Sequence, residues 1–404
     1  MTRETFEAGI AYEGERLDKY LNLIFSETDA AQSRSFFQKL IKEGHVLVND
    51  TAQKANYRLK ADDMICVEIP DAVQTPILPE NIPLDILYED DDLLVVNKPK
   101  GMVVHPSAGH YTGTLVNAIM YHCRDSLSGI NGEIRPGIVH RIDMDTTGSL
   151  IVCKNDESHV FIAEQIKEHS VNRRYRGIVY GVVKEEEGTV NAPIGRHPIE
   201  RKKMAINEKN GKPAITHYKV LERFERYTYM EFKLETGRTH QIRVHMASIG
   251  HPLLGDTLYS SGRSPYKLQG QTLHAMTIGF IHPRTREYME VTAPLPEYFE
   301  KILKDLVTEI WEFYGKPPYI HLGCDEAYDM GTCHSCRKHP ISELLATHLK
   351  KFDKFARQLG TRPVIWHDML LDRQDARWGY HVASGNAEIA KALGKLPRNI
   401  VIAD

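Results

Sequence analysis

The chain has 404 residues, a formal net charge of -3 and an apolar fraction of 42%. That length allows two or three domains, and that apolar content builds packed cores, which excludes a disordered chain. The near-neutral sum does not advertise nucleic-acid binding, although local basic patches matter more than the total. No apolar run approaches a membrane span, and Thr2-Arg-Glu-Thr-Phe-Glu7 is polar and acidic, unlike a signal peptide. Cys66, Cys123 and Cys153 lie inside apolar runs, as reduced core cysteines do, so a reducing, cytoplasmic compartment is expected.

Residues 1–72 read as a small module of helices and a short sheet. Leu17, Leu21 and Ile24 recur at helical spacing, and Ser33 fits the N-cap of a helix over 34–43 that Gly44 stops. Residues 45–49 predict a strand entering a turn at Asn49-Asp50, and 64–69 a second strand. Arg34, Lys39 and Lys42 share the second helix. They make a solvated face, or a phosphate-binding surface if they converge with Lys54, Arg58 and Lys60. Pro70, Pro76, Pro79 and Pro83 stiffen the next stretch, and residues 73–83 read as a semi-rigid linker.

Residues 84–304 alternate short β-rich runs, such as 93–97, 149–153, 176–180 and 230–234, with a few helices. That mixture predicts an α+β domain around a mixed, mainly antiparallel sheet. Its most informative stretch is Arg135-Pro-Gly-Ile-Val-His-Arg-Ile-Asp143-Met-Asp-Thr-Thr-Gly-Ser-Leu-Ile-Val-Cys-Lys154. It sets Arg141 beside Asp143, then a Thr-Thr-Gly turn, then a buried strand. A carboxylate with a cationic neighbour at a strand-to-turn junction stays ionised, the state a nucleophile or base requires. A plain surface salt bridge fits the same few residues.

The stretch closely resembles the signature of the RluA-type RNA pseudouridine synthases, with Ile142 where that family usually has Leu. Val95-Val-Asn-Lys-Pro-Lys-Gly-Met-Val-Val-His-Pro106, Gly113-Thr-Leu-Val-Asn-Ala118, Arg174-Tyr-Arg-Gly-Ile-Val-Tyr-Gly181 and Thr236-Gly-Arg-Thr-His-Gln-Ile-Arg-Val-His245 match in the expected order. Residues 16–49 resemble an S4 RNA-binding domain, a frequent companion of such enzymes. The resemblance implies isomerisation of uridine to pseudouridine in structured RNA, chiefly large-subunit ribosomal RNA, with no cofactor and no metal. It implies Asp143 as the catalytic carboxylate, Arg238 as its pairing arginine, and Tyr175 as the ring that stacks on the target base. Arg141 would fill the gap left by the extruded base. His140, Lys98 and Gln241 are counted with the substrate-binding residues. Read as charge runs, Lys98 and Lys100, with Arg196, Arg201, Lys202 and Lys203, form either a phosphate-tracking rim or plain solvated loops. Asp145 matches no invariant position and is given a turn role. Lys is expected at Arg174 and Ala at Gly177. RNA is the expected partner, with no membrane association and a monomeric state.

Residues 305–404 show another pattern, strand-helix-strand-helix-strand, the repeat of a parallel α/β sheet or a (β/α) barrel. One apolar stripe, including Ile341, Leu345, Leu349, Phe352 and Ala356, predicts a helix ended by Gly360. His321-Leu-Gly-Cys-Asp325-Glu326 and Trp366-His-Asp368 resemble strand ends of hexosaminidase-type glycoside hydrolases, in which an Asp-Glu pair orients the acetamido group and supplies the acid. A complete barrel needs ~250 residues. An incomplete, inactive fragment, fused or truncated, is therefore expected. Cys324, Cys333, Cys336 and His339 have a spacing that can seed a zinc site, with reduced, unligated thiols as the plainer reading. Two alternatives to the synthase remain: an RNA-binding protein with a dead site, and a glycosidase using Asp325 and Glu326.

Overall fold

The computed structural model describes residues 2–25, 34–69, 77–107, 110–124, 126–128, 136–200, 202–261, 264–323, 330–331, 336–377 and 383–403. Ser33, Arg135, Arg201, Cys324, Asp325, Glu326 and Cys333, singled out above, lie outside them. The chain divides into two compact units, Met1–Pro76 and Ile77–Asp404.

The first unit contains β1 (Thr2–Glu7), α1 (Leu17–Phe25), α2 (Arg34–Lys42), β2 (Val46–Val48), β3 (Thr51–Ala52) and β4 (Met64–Ile69), in a sheet of order β1-β4-β2-β3. Leu17, Leu21, Phe25, Phe37, Leu40, Val46, Ile65 and Val67 form its core. Asn49 and Asp50 both take positive φ, 49° and 59°, which suits a tight hairpin turn. Strand β1 was hidden by its charge. It pairs antiparallel with β4 from Thr2↔Ile69 to Glu7↔Met64, with Arg3, Thr5 and Glu7 on its solvated face.

The second unit begins inside the expected linker. Asn117 Nδ2 donates to Leu78 O at 2.8 Å, Glu80 N donates to Asn117 O at 2.9 Å, and Ile77 and Leu84 pack on the main core. These contacts bind 77–84 to the second unit, so they are not free linker.

The next elements are β5 (Ile86–Glu89), β6 (Leu93–Lys98), α3 (Leu115–Cys123), β7 (Thr147–Cys153), α4 (Asp156–Lys167), β8 (Asn172–Tyr180) and β9 (Glu187–Asn191). After them come β10 (Ile194–Arg196), β11 (Met204–Ile206), β12 (Ile215–Arg223), β13 (Tyr227–Leu234), α5 (Gln241–Ser248), β14 (Leu273–Ile281), β15 (Tyr288–Thr292) and α6 (Glu297–Phe313). Nine strands form one sheet, β5-β6-β7-β14-β8-β13-β12-β9 with β15 on β14, while β10 and β11 make a separate hairpin. Every pairing in the large sheet is antiparallel except β7 with β14, which holds only His274↔Thr147 and Ala275↔Gly148. A Cβ on Gly148 would lie 2.3 Å from Ala275 O, and its φ is +109°, so only glycine fits this seam. Thr147 and Gly148 thus open a strand. The turn expected there is displaced to Asp143–Thr146, where Thr146 N donates to Asp143 O at 3.1 Å.

Helix α6 lays Phe299, Ile302 and Leu306 against Ile178, Phe224, Tyr227 and Leu254, so the boundary expected after 304 falls inside a helix anchored on the large sheet's side. Beyond it lie β16 (Tyr319–His321), α7 (Ile341–Leu359), β17 (Arg362–Trp366), α8 (Ala387–Ala390) and β18 (Val401–Ala403). The three strands pair in parallel in that order, and Leu345, Leu349, Ile365, Met369, Ile389 and Ile400 form a core of their own. Among the described residues no sheet closes into a barrel. No described helix is long and apolar enough to cross a membrane.

Candidate active site

A cleft of about 1180 Å³ opens in the second unit. Its walls include residues 103–107, the segment 138–146, Arg173 and Tyr175 of β8, and the turn 237–240 leading into α5. The seam between β7 and β14 therefore sits directly after the loop that carries Asp143.

Met144 anchors that loop. Its carbonyl accepts from Lys98 Nζ at 2.8 Å and from Gly101 N at 3.0 Å. The Asp143 side chain is 24% exposed, and its Oδ2 accepts from Arg243 Nη1 at 2.9 Å. Its Oδ1 accepts no hydrogen bond from the described residues. Arg243 is itself gripped by Asp256, through Nε at 2.7 Å and Nη2 at 3.0 Å. Asp256 also receives the backbone N–H groups of Leu258 and Tyr259. Burial opposes the Arg243 charge, but Asp256 and Asp143 outweigh it and raise its pKa above the ordinary value. A bidentate grip fixes both the plane and the direction of a guanidinium, so Arg243 is a rigid cation aimed at Asp143.

Helix α5 supplies the aim. Gln241 Nε2 donates to Ile215 O and Thr216 Oγ1, while its Oε1 accepts from Thr236 Oγ1 and Arg238 N. His245 bonds Thr216 Oγ1 and Ala192 O. Both residues tie α5 to its neighbours, and Arg243 between them faces the cleft. His240, before the helix, takes φ 56° and bonds Tyr259 Oη through Nδ1 at 2.8 Å.

Tyr175 lies where the cleft meets the main core and is 8% exposed. Burial pushes its phenol's pKa up, so it stays protonated at neutral pH. Arg141 is exposed and lines the same cleft. Asp145 also lines it, with Oδ1 buried and without a hydrogen bond from the described residues. Burial raises the Asp145 carboxyl's pKa against the pull of Lys100 and Lys98.

Several expectations need correction. Arg238 does not pair with Asp143: its Nε donates to Pro213 O at 3.0 Å, and Arg243 holds the carboxylate. Lys98 is no rim residue. It is fully buried, and its Nζ donates to the carbonyls of Pro99, Met102 and Met144, each at 2.8 Å. Burial pushes its ammonium down to about 7, with Asp145 and Asp143 pulling the other way. Lys100 turns inward too, donating to Gln271 O at 3.1 Å and lying 4.1 Å from the Tyr298 ring centre. His140 Nε2 accepts from Ile151 N at 2.9 Å, so the ring braces strand β7. Burial, aided by the charge of Arg173, lowers its pKa to about 3. The Gln241 amide is committed to the scaffold around α5. In the first unit Arg34 binds Asp18 through Nε at 3.1 Å and Nη2 at 3.0 Å. Lys39 pairs with Glu43 at 3.7 Å, whereas Lys42 and Lys54 border one surface recess.

Arg243 is the functional residue that the reading of the sequence missed. It stands inside the matching 236–245 stretch, but its distinguishing feature is its buried partner Asp256, and nothing in the sequence pairs the two. Among the described residues, Asp90, Asp92 and His282 gather as metal ligands would. Arg284 already takes both oxygens of Asp92, and Tyr88 and His282 bond Asp90, so protein donors satisfy that cluster.

The RNA pseudouridylate synthase family model matches residues 92–248, and the S4 domain model matches residues 15–65. The uncharacterized RNA pseudouridine synthase YlyB of Bacillus subtilis (strain 168) is 50% identical over 292 residues, covering 72% of this chain and 94% of that protein. The ribosomal large subunit pseudouridine synthase D of Zymomonas mobilis is 44% identical, covering 73% and 94%, and that of Pseudomonas aeruginosa is 41% identical, covering 77% and 96%. The solved human RNA pseudouridylate synthase domain containing 1 is 27% identical with a TM-score of 0.44, over 56% of this chain and 96% of its own.

Proposed function

The chain belongs to the RNA pseudouridylate synthase family, and on that premise we propose that its cleft converts uridines of large-subunit ribosomal RNA to pseudouridine with Asp143 as the reacting carboxylate. The observation that carries this reading is the Asp143–Arg243 ion pair at 2.9 Å in a cleft that also holds Tyr175. Pseudouridine formation breaks the bond from N1 to C1′, turns the ring and joins C5 to C1′. No atom is lost and nothing is oxidised, so one carboxylate, a ring contact and a means of extruding the base suffice.

Asp143 serves through Oδ1, which takes no donor from the described residues, while Arg243 holds Oδ2. It attacks C1′ or removes the C2′ proton, and both routes need it ionised. Tyr175 stacks on the uracil. Extruding a stacked base costs a few kcal/mol, and Arg141, exposed beside the cleft, takes its place, since a guanidinium both stacks and pairs with phosphate. The S4 unit tethers the enzyme to its RNA and raises the local substrate concentration. Ribosomal RNA as substrate is supported by the synthase D relatives and by the S4 unit, and it places the work where ribosomes are assembled. Asp143, Tyr175 and Arg243 come from one chain, so a monomer suffices. For residues 305–404 we infer a hexosaminidase-type (β/α) piece, three parallel strands with α7 and α8 between them, that carries no glycosidase activity. Release of a chromogenic N-acetylhexosaminide by the full chain would refute that.

The test is pseudouridine mapping of ribosomal RNA with the wild type and Asp143→Asn. The wild type should modify defined uridines, and the variant should lose activity by on the order of 10⁴-fold while still binding RNA. A wild type that binds RNA and makes no pseudouridine would leave the RNA-binding reading in its place.

A further inference from the structure

Arg173 is a buried cation without a counter-charge among the described residues. It lies on β8 two residues before Tyr175, so both side chains leave the same face of the strand. It is 7% exposed and lines the cleft together with Tyr175, His140 and Asp143. Its Nη2 donates to Glu235 O at 2.9 Å, and its Nε is buried without a partner among the described residues. It forms no ion pair with the described residues. A Cβ on Gly237 would lie 2.6 Å from Nη1, so the absence of a side chain there makes room for the guanidinium. Burial pushes its pKa down, with the Tyr175 phenol pulling the other way. A buried charge left unpaired is costly, and such a cost is characteristic of functional sites.

The isomerisation creates the missing anion. When N1–C1′ breaks, its electron pair stays with the ring, which becomes a uracil anion with charge on its carbonyl oxygens. The deficit at C1′ is met by Asp143, through a bond from its carboxylate or by removal of the C2′ proton. The anion's charge is discharged when a ring electron pair joins C5 to C1′. As that bond forms, the carboxylate either leaves C1′ or returns its proton to C2′; the C5 proton then leaves and N1 gains one. Tyr175 offers the ring a face, and Arg173 lines the same cleft.

We propose that Arg173 is a further catalytic residue, which holds a carbonyl oxygen of the detached uracil and stabilises its negative charge. This rests on the synthase reading above. A backbone phosphate offers the same anionic chemistry, so the experiment must separate the two.

Single-turnover rate and RNA affinity are measured on the full chain for wild type, Arg173→Met, Arg173→Lys and Gly237→Ala, with Asp143→Asn as the blank. Two RNAs are used, carrying uridine or 5-fluorouridine at the target, and consumption of the target nucleoside is read. Arg173→Met should slow uridine turnover about 10²–10³-fold, the effect of removing one oxyanion donor, with affinity unchanged. Arg173→Lys should recover part of the rate. Gly237→Ala, which displaces the guanidinium and keeps its charge, should also slow turnover, and it remains informative if Arg173→Met fails to fold. Fluorine withdraws electrons and stabilises the uracil anion, so the loss on 5-fluorouridine RNA should be smaller. Weakened affinity with a reduced salt slope and an unchanged rate would mean a phosphate contact and overturn the proposal. Equal losses on both RNAs, or no loss, would also overturn it. A silent wild type would sink the synthase reading as well, whereas an active wild type with indifferent Arg173 variants would sink this inference alone.

Discussion

The two units each hold an aspartate against arginine, and they use it in opposite ways. In the first unit Asp18 is fully buried and accepts from Arg16 Nε at 3.0 Å, Arg16 Nη2 at 3.1 Å, both donors of Arg34 and Gln38 Nε2 at 2.6 Å. Nothing is left over for a ligand. In the second unit that saturated role falls to Asp256, which grips Arg243, and among the described residues Asp143 receives one donor and keeps one oxygen open. The chemistry of an Asp-Arg pair therefore does not reveal its task. The number of donors on the carboxylate, and whether solvent or substrate can reach it, divides a structural brace from a reacting group.

The largest test of that contrast is Asp256→Asn. Removing one partner of a buried pair costs about 3–5 kcal/mol, and Arg243 would keep only Asp143. Hydrogen exchange in the full chain should show α5 amides losing protection by that amount, with pseudouridine formation falling alongside. Unchanged α5 protection would mean that the grip of Asp256 is not what aims Arg243.

Much of this site was legible in the sequence. Asp143, Tyr175 and Arg141 are placed in one cleft by elements that the 135–154 and 174–181 stretches already outlined. The helices at 17–25 and 341–359 follow from apolar spacing, and that at 34–42 from its end signals. The assignment of polar residues within correctly located stretches remained hidden. Gln241, Arg243 and His245 are all polar and all buried, so exposure cannot be inferred from polarity there. Their partners include Ile215 and Thr216 in β12, Ala192 after β9, Asp143 before β7 and Asp256 after α5, and a linear chain does not display such pairings. Lys98 misled for the same reason. A lysine in a Lys-Pro-Lys-Gly turn looks solvated, yet three carbonyl oxygens converge on it once the loop closes. Strand β1 was missed because its outward charges masked the half-buried alternation that pairs it with β4.

The saturated end of the comparison carries a pH signature. Burial alone would raise the Asp18 carboxyl, but Arg16, Gln38 and Arg34 outweigh it and hold it down to about 2. An unfolded aspartate titrates near 3.9. The folded state is thus favoured in full above that value, and the advantage disappears as pH falls toward 2, a loss of about 2–3 kcal/mol. Protection of the first unit's core amides should decline across that window in the wild type. In Asp18→Asn the decline should be shallower. An equally steep decline in the variant would assign the acid sensitivity to other groups.

The smallest effect sharpens the contrast most. If Arg34 belongs to the Asp18 brace, Arg34→Ala should cost about 1 kcal/mol in first-unit protection, since Arg16 and Gln38 remain and the Arg34 side chain is 44% exposed and screened. RNA affinity and its salt dependence should barely change. Lys42→Ala should do the reverse, leaving protection intact and lowering the salt slope by about 1, as expected when one phosphate is no longer neutralised. Lys42 is exposed, has no carboxylate partner among the described residues and borders the recess it shares with Lys54. A fall in salt slope for Arg34→Ala, with none for Lys42→Ala, would put the RNA-facing charge back on the residue the fold has already committed to Asp18.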